Sequence, residues 1–167
     1  MGIIEATKLG AWFDAYARQM ALYARQWLSW PSAADAVQDV FLRLARQNAE
    51  PRNVKAWLFR SVRNAAISQV RSHWRRRRRE QEATADRKGW FETRPDDLID
   101  ARAAQEALAG LPVEQREVVV LRIWADMPWR DIGEVTASPT TSVRRQYIAA
   151  LAAMRERMES PCKKKMN

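Results

Sequence analysis

The chain has 167 residues, and its 29 lysines and arginines outnumber its 20 aspartates and glutamates, which gives a formal net charge of +9 at pH 7. Its hydrophobic content of 47% excludes a wholly disordered chain. A single histidine and a single cysteine exclude an intramolecular disulfide and nearly exclude a zinc site or a Ser-His triad. No apolar run approaches the ~20 residues of a membrane span, so we expect a cytoplasmic protein without metal or cofactor, with a polyanion as its partner.

Glycine is scarce, with five in the whole chain, and runs of β-branched residues are few. Both features predict an all-α fold. Apolar residues at steps of three and four predict a first amphipathic helix over residues 9–28. Its apolar stripe comprises Leu9, Trp12, Phe13, Tyr16, Met20, Tyr23 and Trp27.

A second helix is predicted after Trp30-Pro31, with Ser32 as its cap. Its buried stripe comprises Val37, Val40, Phe41 and Leu44. The polar side that remains carries Asp35, Gln38, Asp39 and Arg43. Like charges at positions i and i+4 repel each other weakly, so this side is either a solvated face or a surface for a basic partner.

A third helix is predicted from a cap at Asn53 to about Arg79, following a loop around Pro51. Its apolar side comprises Val54, Trp57, Leu58, Val62, Ala65 and Ala66. The opposite side carries Arg60, Arg63, Asn64 and Arg71 at helical steps. Such a face suits phosphates, although a merely solvated basic face has the same pattern.

Residues 80–96 are polar and contain helix breakers, so we predict a linker between a first domain, 1–79, and a second domain, 97–160. The second domain is predicted to contain helices over 97–109, 113–124, 129–136 and 140–158. The short third helix, the turn after it and the longer fourth helix form a helix-turn-helix. The fourth helix begins with side chains that can reach phosphates and purine edges in a major groove: Thr140, Thr141, Ser142, Arg144 and Arg145. Its buried stripe is predicted to comprise Val143, Tyr147, Leu151 and Met154.

Four segments, in this order and spacing, resemble those of bacterial sigma factors of the two-domain extracytoplasmic-function type. DAVQDVFLRL (35–44) and KAWLFRSVRNAAISQVRS (55–72) resemble the family's region 2. GLPVEQREVVVLR (110–122) and VRRQYIAALAAMR (143–155) resemble its region 4. The resemblance covers residues from about 9 to 158.

The resemblance implies a non-enzymatic protein that binds core RNA polymerase and directs promoter recognition, DNA melting and transcription initiation. Asp35, Gln38, Asp39 and Arg43 would then face a basic coiled coil of the largest polymerase subunits. The minus-ten promoter element would meet Asn53, Lys55, Arg60, Arg63, Asn64 and Arg71. The minus-thirty-five element would meet the start of the helix over 140–158. Many members of this family are held inactive by an anti-sigma factor, although no residue of this chain indicates one.

The sequence departs from the family pattern at several positions. Gln146 stands where arginine is common, and Thr136-Ala137-Ser138 replaces a commoner Leu-Gly-Ile turn, which predicts a marginally stable second domain. The main alternative is a stand-alone helix-turn-helix transcription regulator, which leaves the polar side formed by Asp35, Gln38 and Asp39 unexplained. A DNA recombinase is a weaker alternative, since the serines of the third helix do not lie in an α/β core.

Overall fold

A computed structural model describes residues 4–77 and 98–163 of the chain. In these two stretches the secondary structure is entirely helical, which confirms the predicted all-α fold. The helices are α1 (Ala6–Ala24), α2 (Trp30–Ala45), α3 (Val54–Arg77), α4 (Leu98–Ala109), α5 (Val113–Ile123), α6 (Trp129–Thr136) and α7 (Thr140–Lys163).

The chain divides into two compact units, and the first of them contains α1, α2 and α3. Each of these three helices packs against the other two, because each has an apolar stripe that must be covered by a neighbour. Tyr23 and Phe59 are fully buried at the centre, with ring centroids 5.7 Å apart. The other large buried side chains of this unit include Met20, Val40, Leu44, Leu58 and Val62. Phe59 is absent from the stripe predicted for this helix, yet it forms part of the core.

The beginning of α2 differs from its prediction. The helix starts at Trp30, with Pro31 in its first turn and Ser29 as the capping residue, so the predicted cap at Ser32 is wrong. Proline is tolerated in a first turn because its missing N–H has no partner within the helix there. Ser32 instead accepts a hydrogen bond from the hydroxyl of Ser29, at 3.0 Å.

The second unit contains α4, α5, most of α6, and α7. Both α4 and α5 pack on α7. Its core comprises Leu108, Leu111, Val118, Val119, Leu121, Met127, Ile132, Val143 and Ala150. The predicted linker, 80–96, lies outside the described residues.

Candidate nucleic-acid and protein interfaces

The four polar residues predicted on one side of α2 are all exposed in the structure: Asp35, Gln38, Asp39 and Arg43. The opposite side of the helix is buried through Ala36, Val37, Val40, Phe41 and Leu44. Neither carboxylate makes an ion pair or a hydrogen bond with any residue that the structure describes. The Nε of Arg43 donates to the backbone oxygen of Asp39, at 3.4 Å, rather than to a carboxylate. This face is therefore acidic and unpaired in a chain whose net charge is strongly positive.

Leu42, which was not among the predicted site residues, lies on the same exposed side of α2. Its side chain is 54% exposed, although it is a large apolar residue. The helical periodicity indicates this exposure, because Leu42 falls outside the buried stripe formed by Val40, Phe41 and Leu44. An apolar side chain next to unpaired carboxylates is typical of a protein interface, where apolar anchors are surrounded by charges.

The loop before α3 ends in a helix cap. The backbone N–H of Ala56 donates to the Oδ1 of Asn53, at 3.0 Å, as the sequence predicts. Lys55, two residues after the cap, lies over the ring of Tyr16 in α1, with its Nζ 5.6 Å from the ring centroid. Both contacts hold the start of α3 in place. They occupy the side-chain amide oxygen of Asn53 and part of the Lys55 side chain.

The basic side of α3 is largely exposed. Arg60, Asn64 and Arg71 are exposed, whereas Arg63 is half-buried. Trp74 continues this side toward the end of the described helix, and its side chain is 69% exposed. It was not among the predicted site residues. An exposed indole beside arginines is a combination that suits nucleic acid, which offers bases for stacking and phosphates for charge pairing.

The helix-turn-helix forms from α6, the turn at residues 137–139, and α7. Ala137 adopts the left-handed conformation, with φ 52° and ψ 41°, and the N–H of Ser138 donates to the carbonyl of Gly133, at 2.9 Å. This bond closes the end of α6 in a Schellman arrangement. A Cβ on Gly133 would lie 2.7 Å from the backbone oxygen of Ser138. The turn therefore needs glycine at position 133, while at position 137 it places alanine in a conformation that glycine adopts more readily.

We expect Ala137→Gly to stabilise the second unit. Glycine removes a left-handed strain of about 1–2 kcal/mol, which its greater freedom in the unfolded chain offsets by about 0.5–1 kcal/mol. Hydrogen exchange at the amides of α6 and α7 should become slower. The control Ala152→Gly lies on an exposed side of α7, where glycine should destabilise the helix by about 1 kcal/mol. Faster exchange in the Ala137→Gly variant would contradict this expectation.

The residues predicted to read DNA lie at the start of α7. Thr140, Thr141, Arg144 and Arg145 are exposed, whereas Ser142 is half-buried. Val143 is fully buried and Tyr147 is half-buried, as expected for the opposite side of the helix. Leu151 is 41% exposed, so its predicted burial is wrong. The buried position of this turn is Ala150, one residue earlier, where the neighbouring helices cover α7.

The exposed side of α7 continues beyond the two arginines as a shallow apolar surface. It is lined by Thr141, Arg144, Arg145, Ile148, Ala149 and Ala152. Ile148 is 69% exposed and was not among the predicted site residues. In a major groove, an apolar side chain at such a position can contact the methyl group of thymine.

Two further properties concern the described part of the chain. Within residues 4–77 and 98–163, no three side chains of histidine, cysteine, aspartate or glutamate lie close enough together to hold a metal ion. Over the same residues, no helix combines the length and the apolar character that crossing a membrane requires.

The two units match two family models. Residues 12–76 match sigma-70 region 2, and residues 101–154 match sigma-70 region 4. The chain belongs to the sigma factor family. It is of the two-domain extracytoplasmic-function type, and its role is in transcription initiation, with core RNA polymerase and promoter DNA as partners. The presence of both regions in one chain sets aside the alternative of a stand-alone helix-turn-helix regulator.

Solved structures support the fold of this sigma factor. The sigma factor RpoE of Bartonella quintana, in a co-crystal with the anti-sigma factor NepR, matches with a TM-score of 0.78 and 20% identity. That match covers 93% of this chain and 98% of RpoE. CnrH, in complex with the cytosolic domain of CnrY, matches with a TM-score of 0.67 and 21% identity, covering 94% of this chain and 91% of CnrH.

Proposed function

We propose that this sigma factor binds its partners through three surfaces. The acidic side of α2 docks on core RNA polymerase through Asp35, Gln38, Asp39 and Arg43. The basic side of α3 and the loop before it hold the minus-ten element through Asn53, Lys55, Arg60, Arg63, Asn64 and Arg71. The start of α7 reads the minus-thirty-five element through Thr140, Thr141, Ser142, Arg144 and Arg145. The protein steers and melts DNA in the cytoplasm and performs no covalent chemistry.

The observation that carries the proposal is the exposed, unpaired state of Asp35 and Asp39. Two carboxylates four residues apart on a helix repel each other weakly, and neither has an ion-pair partner among the described residues that would offset this repulsion. A basic partner surface relieves it on binding, and complementary charges also set the orientation and rate of association. Leu42, exposed beside them, adds an apolar contact to the same surface.

The DNA surfaces differ in the information that their contacts provide. The α3 side offers arginines and an asparagine at helical steps. The arginines suit a phosphate backbone, and the asparagine amide suits the hydrogen-bonding edges of unpaired bases. Capturing an extruded base there offsets part of the unstacking cost, which is a few kcal/mol. The exposed arginines of α7 follow exposed threonines at the start of the second helix of the helix-turn-helix, where side chains reach base edges in the major groove.

The proposal also covers the domain bounds and a regulator of the chain. The first domain comprises residues 1–79 and the second comprises 97–160, joined by the segment 80–96. The complex of RpoE with an anti-sigma factor supports the proposal that an anti-sigma factor also controls this chain.

Transcription from a promoter library tests the assignment of base reading to α7. With purified bacterial core polymerase, Arg144→Ala or Arg145→Ala should relax the preference for one upstream base pair by about tenfold, because a bidentate arginine contact to guanine provides discrimination of that order. The proposal fails for these residues if both variants keep the wild-type upstream preference.

The matched control is Arg71→Ala, an exposed arginine of α3. It should weaken promoter binding on all sequences alike, and it should reduce the slope of log affinity against log salt by about one, as expected for one lost phosphate contact. Titrations at two or more salt concentrations provide this slope.

A further inference from the structure

Trp129, the first residue of α6, lies among side chains from α5 and α7. Its ring meets the ring of Tyr147 edge to face, with centroids 5.0 Å apart and planes inclined by 69°. The Cζ of Arg122 lies 4.6 Å from the centroid of the indole, and the Cζ of Arg144 lies 5.9 Å from it. One half-buried side chain therefore connects three helices of the second unit.

Arg122 fixes the ring from the side of α5. Its Nη1 donates to the backbone oxygen of Met127, at 2.9 Å, which ties the loop between α5 and α6 to the end of α5. Because the same guanidinium lies close to the indole, the ring and the loop that precedes it are held by one side chain. Tryptophan is the aromatic residue that attracts a guanidinium most strongly.

Arg144 is exposed, and without a neighbour its long side chain would sample many rotamers, whose loss opposes binding. The indole provides that neighbour at a distance near the outer limit of about 6 Å for cation–π attraction. A guanidinium that rests on an aromatic ring uses its face for the contact and keeps its N–H groups in its plane. The side chain can thus be positioned by the ring while its donors point to a base edge.

We infer that Trp129 is a positioning residue for promoter reading: its indole, held by Arg122 and Tyr147, preorganises Arg144 for its contact with the minus-thirty-five element. This inference rests on the proposed role of Arg144. It assigns a specificity role to a residue outside the DNA-reading positions themselves. It also assigns different roles to two arginines that are adjacent in sequence but differ in their surroundings. Arg145 makes no comparable contact with a ring among the described residues.

A double-mutant experiment tests the inference. Promoter-library transcription with core polymerase is measured for Trp129→Leu and Trp129→Met, which lack an aromatic face, each in the wild-type, Arg144→Ala and Arg145→Ala backgrounds. Two variants are used so that one that fails to fold, as judged by circular dichroism, can be set aside. Trp129→Phe, which keeps an aromatic face, is the conservative variant.

In the wild-type background, loss of the indole should relax the preference at the base pair read by Arg144 by about three- to tenfold, part of the discrimination that such a contact provides. In the Arg144→Ala background it should cause no further relaxation, whereas with Arg145→Ala the two effects should multiply. Trp129→Phe should restore most of the preference. A merely structural role would lower activity on all sequences alike and would not depend on Arg144.

Three results would overturn the inference. The first is a Trp129 effect that multiplies with that of Arg144→Ala, and the second is a uniform loss of activity without a change of preference in a folded variant. The third is an unchanged preference in Arg144→Ala itself. Only the third also contradicts the proposed reading of bases by Arg144, so the two failures are distinguishable.

Discussion

Replacing Asp35 and Asp39 together by arginine is expected to abolish co-elution of this sigma factor with core RNA polymerase. Both carboxylates are exposed and unpaired within the described residues, so the change should not disturb the bundle of α1, α2 and α3. Two new arginines beside Arg43, facing a basic surface, would replace attraction by repulsion. We expect a loss of affinity of about 100-fold, which corresponds to roughly 3 kcal/mol.

The control for this prediction is a charge change of the same size at a different place on the same unit. Glu5 and Asp14 are also exposed, and Glu5→Arg with Asp14→Arg raises the net charge by the same amount. This variant should co-elute with polymerase as the wild type does. If the Asp35→Arg, Asp39→Arg protein still co-elutes at wild-type strength, α2 is not the docking surface. If the control also loses binding, overall charge rather than this surface is responsible.

Replacing Gly133 by alanine is expected to disrupt the helix-turn-helix and abolish the preference for the upstream element. The added Cβ would lie 2.7 Å from the backbone oxygen of Ser138, which is the residue that closes α6 by donating to the carbonyl of Gly133. A flexible side chain could move away, but a backbone atom in a tight turn cannot do so without loss of that hydrogen bond. Overpacking of this kind typically costs about 1–3 kcal/mol.

Hydrogen exchange resolved by peptide locates the effect of Gly133→Ala. Amides of α6 and α7 should exchange faster, while those of α1, α2 and α3 should keep their wild-type rates. The control is Gly10→Ala in α1, where an added Cβ meets no atom within 4 Å and alanine should stabilise the helix by about 0.5–1 kcal/mol. Wild-type exchange in α6 and α7 of the Gly133 variant would show that the turn can absorb the added methyl group.

The polar side of α2 shows how much a local pattern can determine. Asp35, Gln38, Asp39 and Arg43 are predicted to be exposed because Val37, Val40 and Leu44 define the opposite side of the same helix. The structure confirms this exposure, since the period of a helix places the two sets apart whatever surrounds it. The use of these residues against polymerase stays a prediction, because a surface does not by itself specify its partner.

Other features depended on contacts between helices. Phe59 is buried because α1 brings Tyr23 against it, and Leu151 is exposed because no described neighbour covers that side of α7. A hydrophobic period indicates which side of a helix is apolar, but not how far along the helix the neighbouring elements extend. The start of α2 at Trp30, by contrast, has a local cause: a first turn tolerates proline, so the helix begins before Pro31 rather than after it.

The sequence alone determined the all-α fold, the positions of most helices and membership of the sigma factor family, because periodicity, helix breakers and family motifs are all local properties of the chain. Only the tertiary structure decided which side chains meet across helices. Trp129 and Arg144 belong to different helices, and neither residue type nor spacing indicates that they are neighbours. Their proximity arises in the tertiary structure, where the turn at Ala137 sets the direction of α7 relative to α6 and the indole of Trp129 comes to lie beside the arginine that we propose reads the promoter.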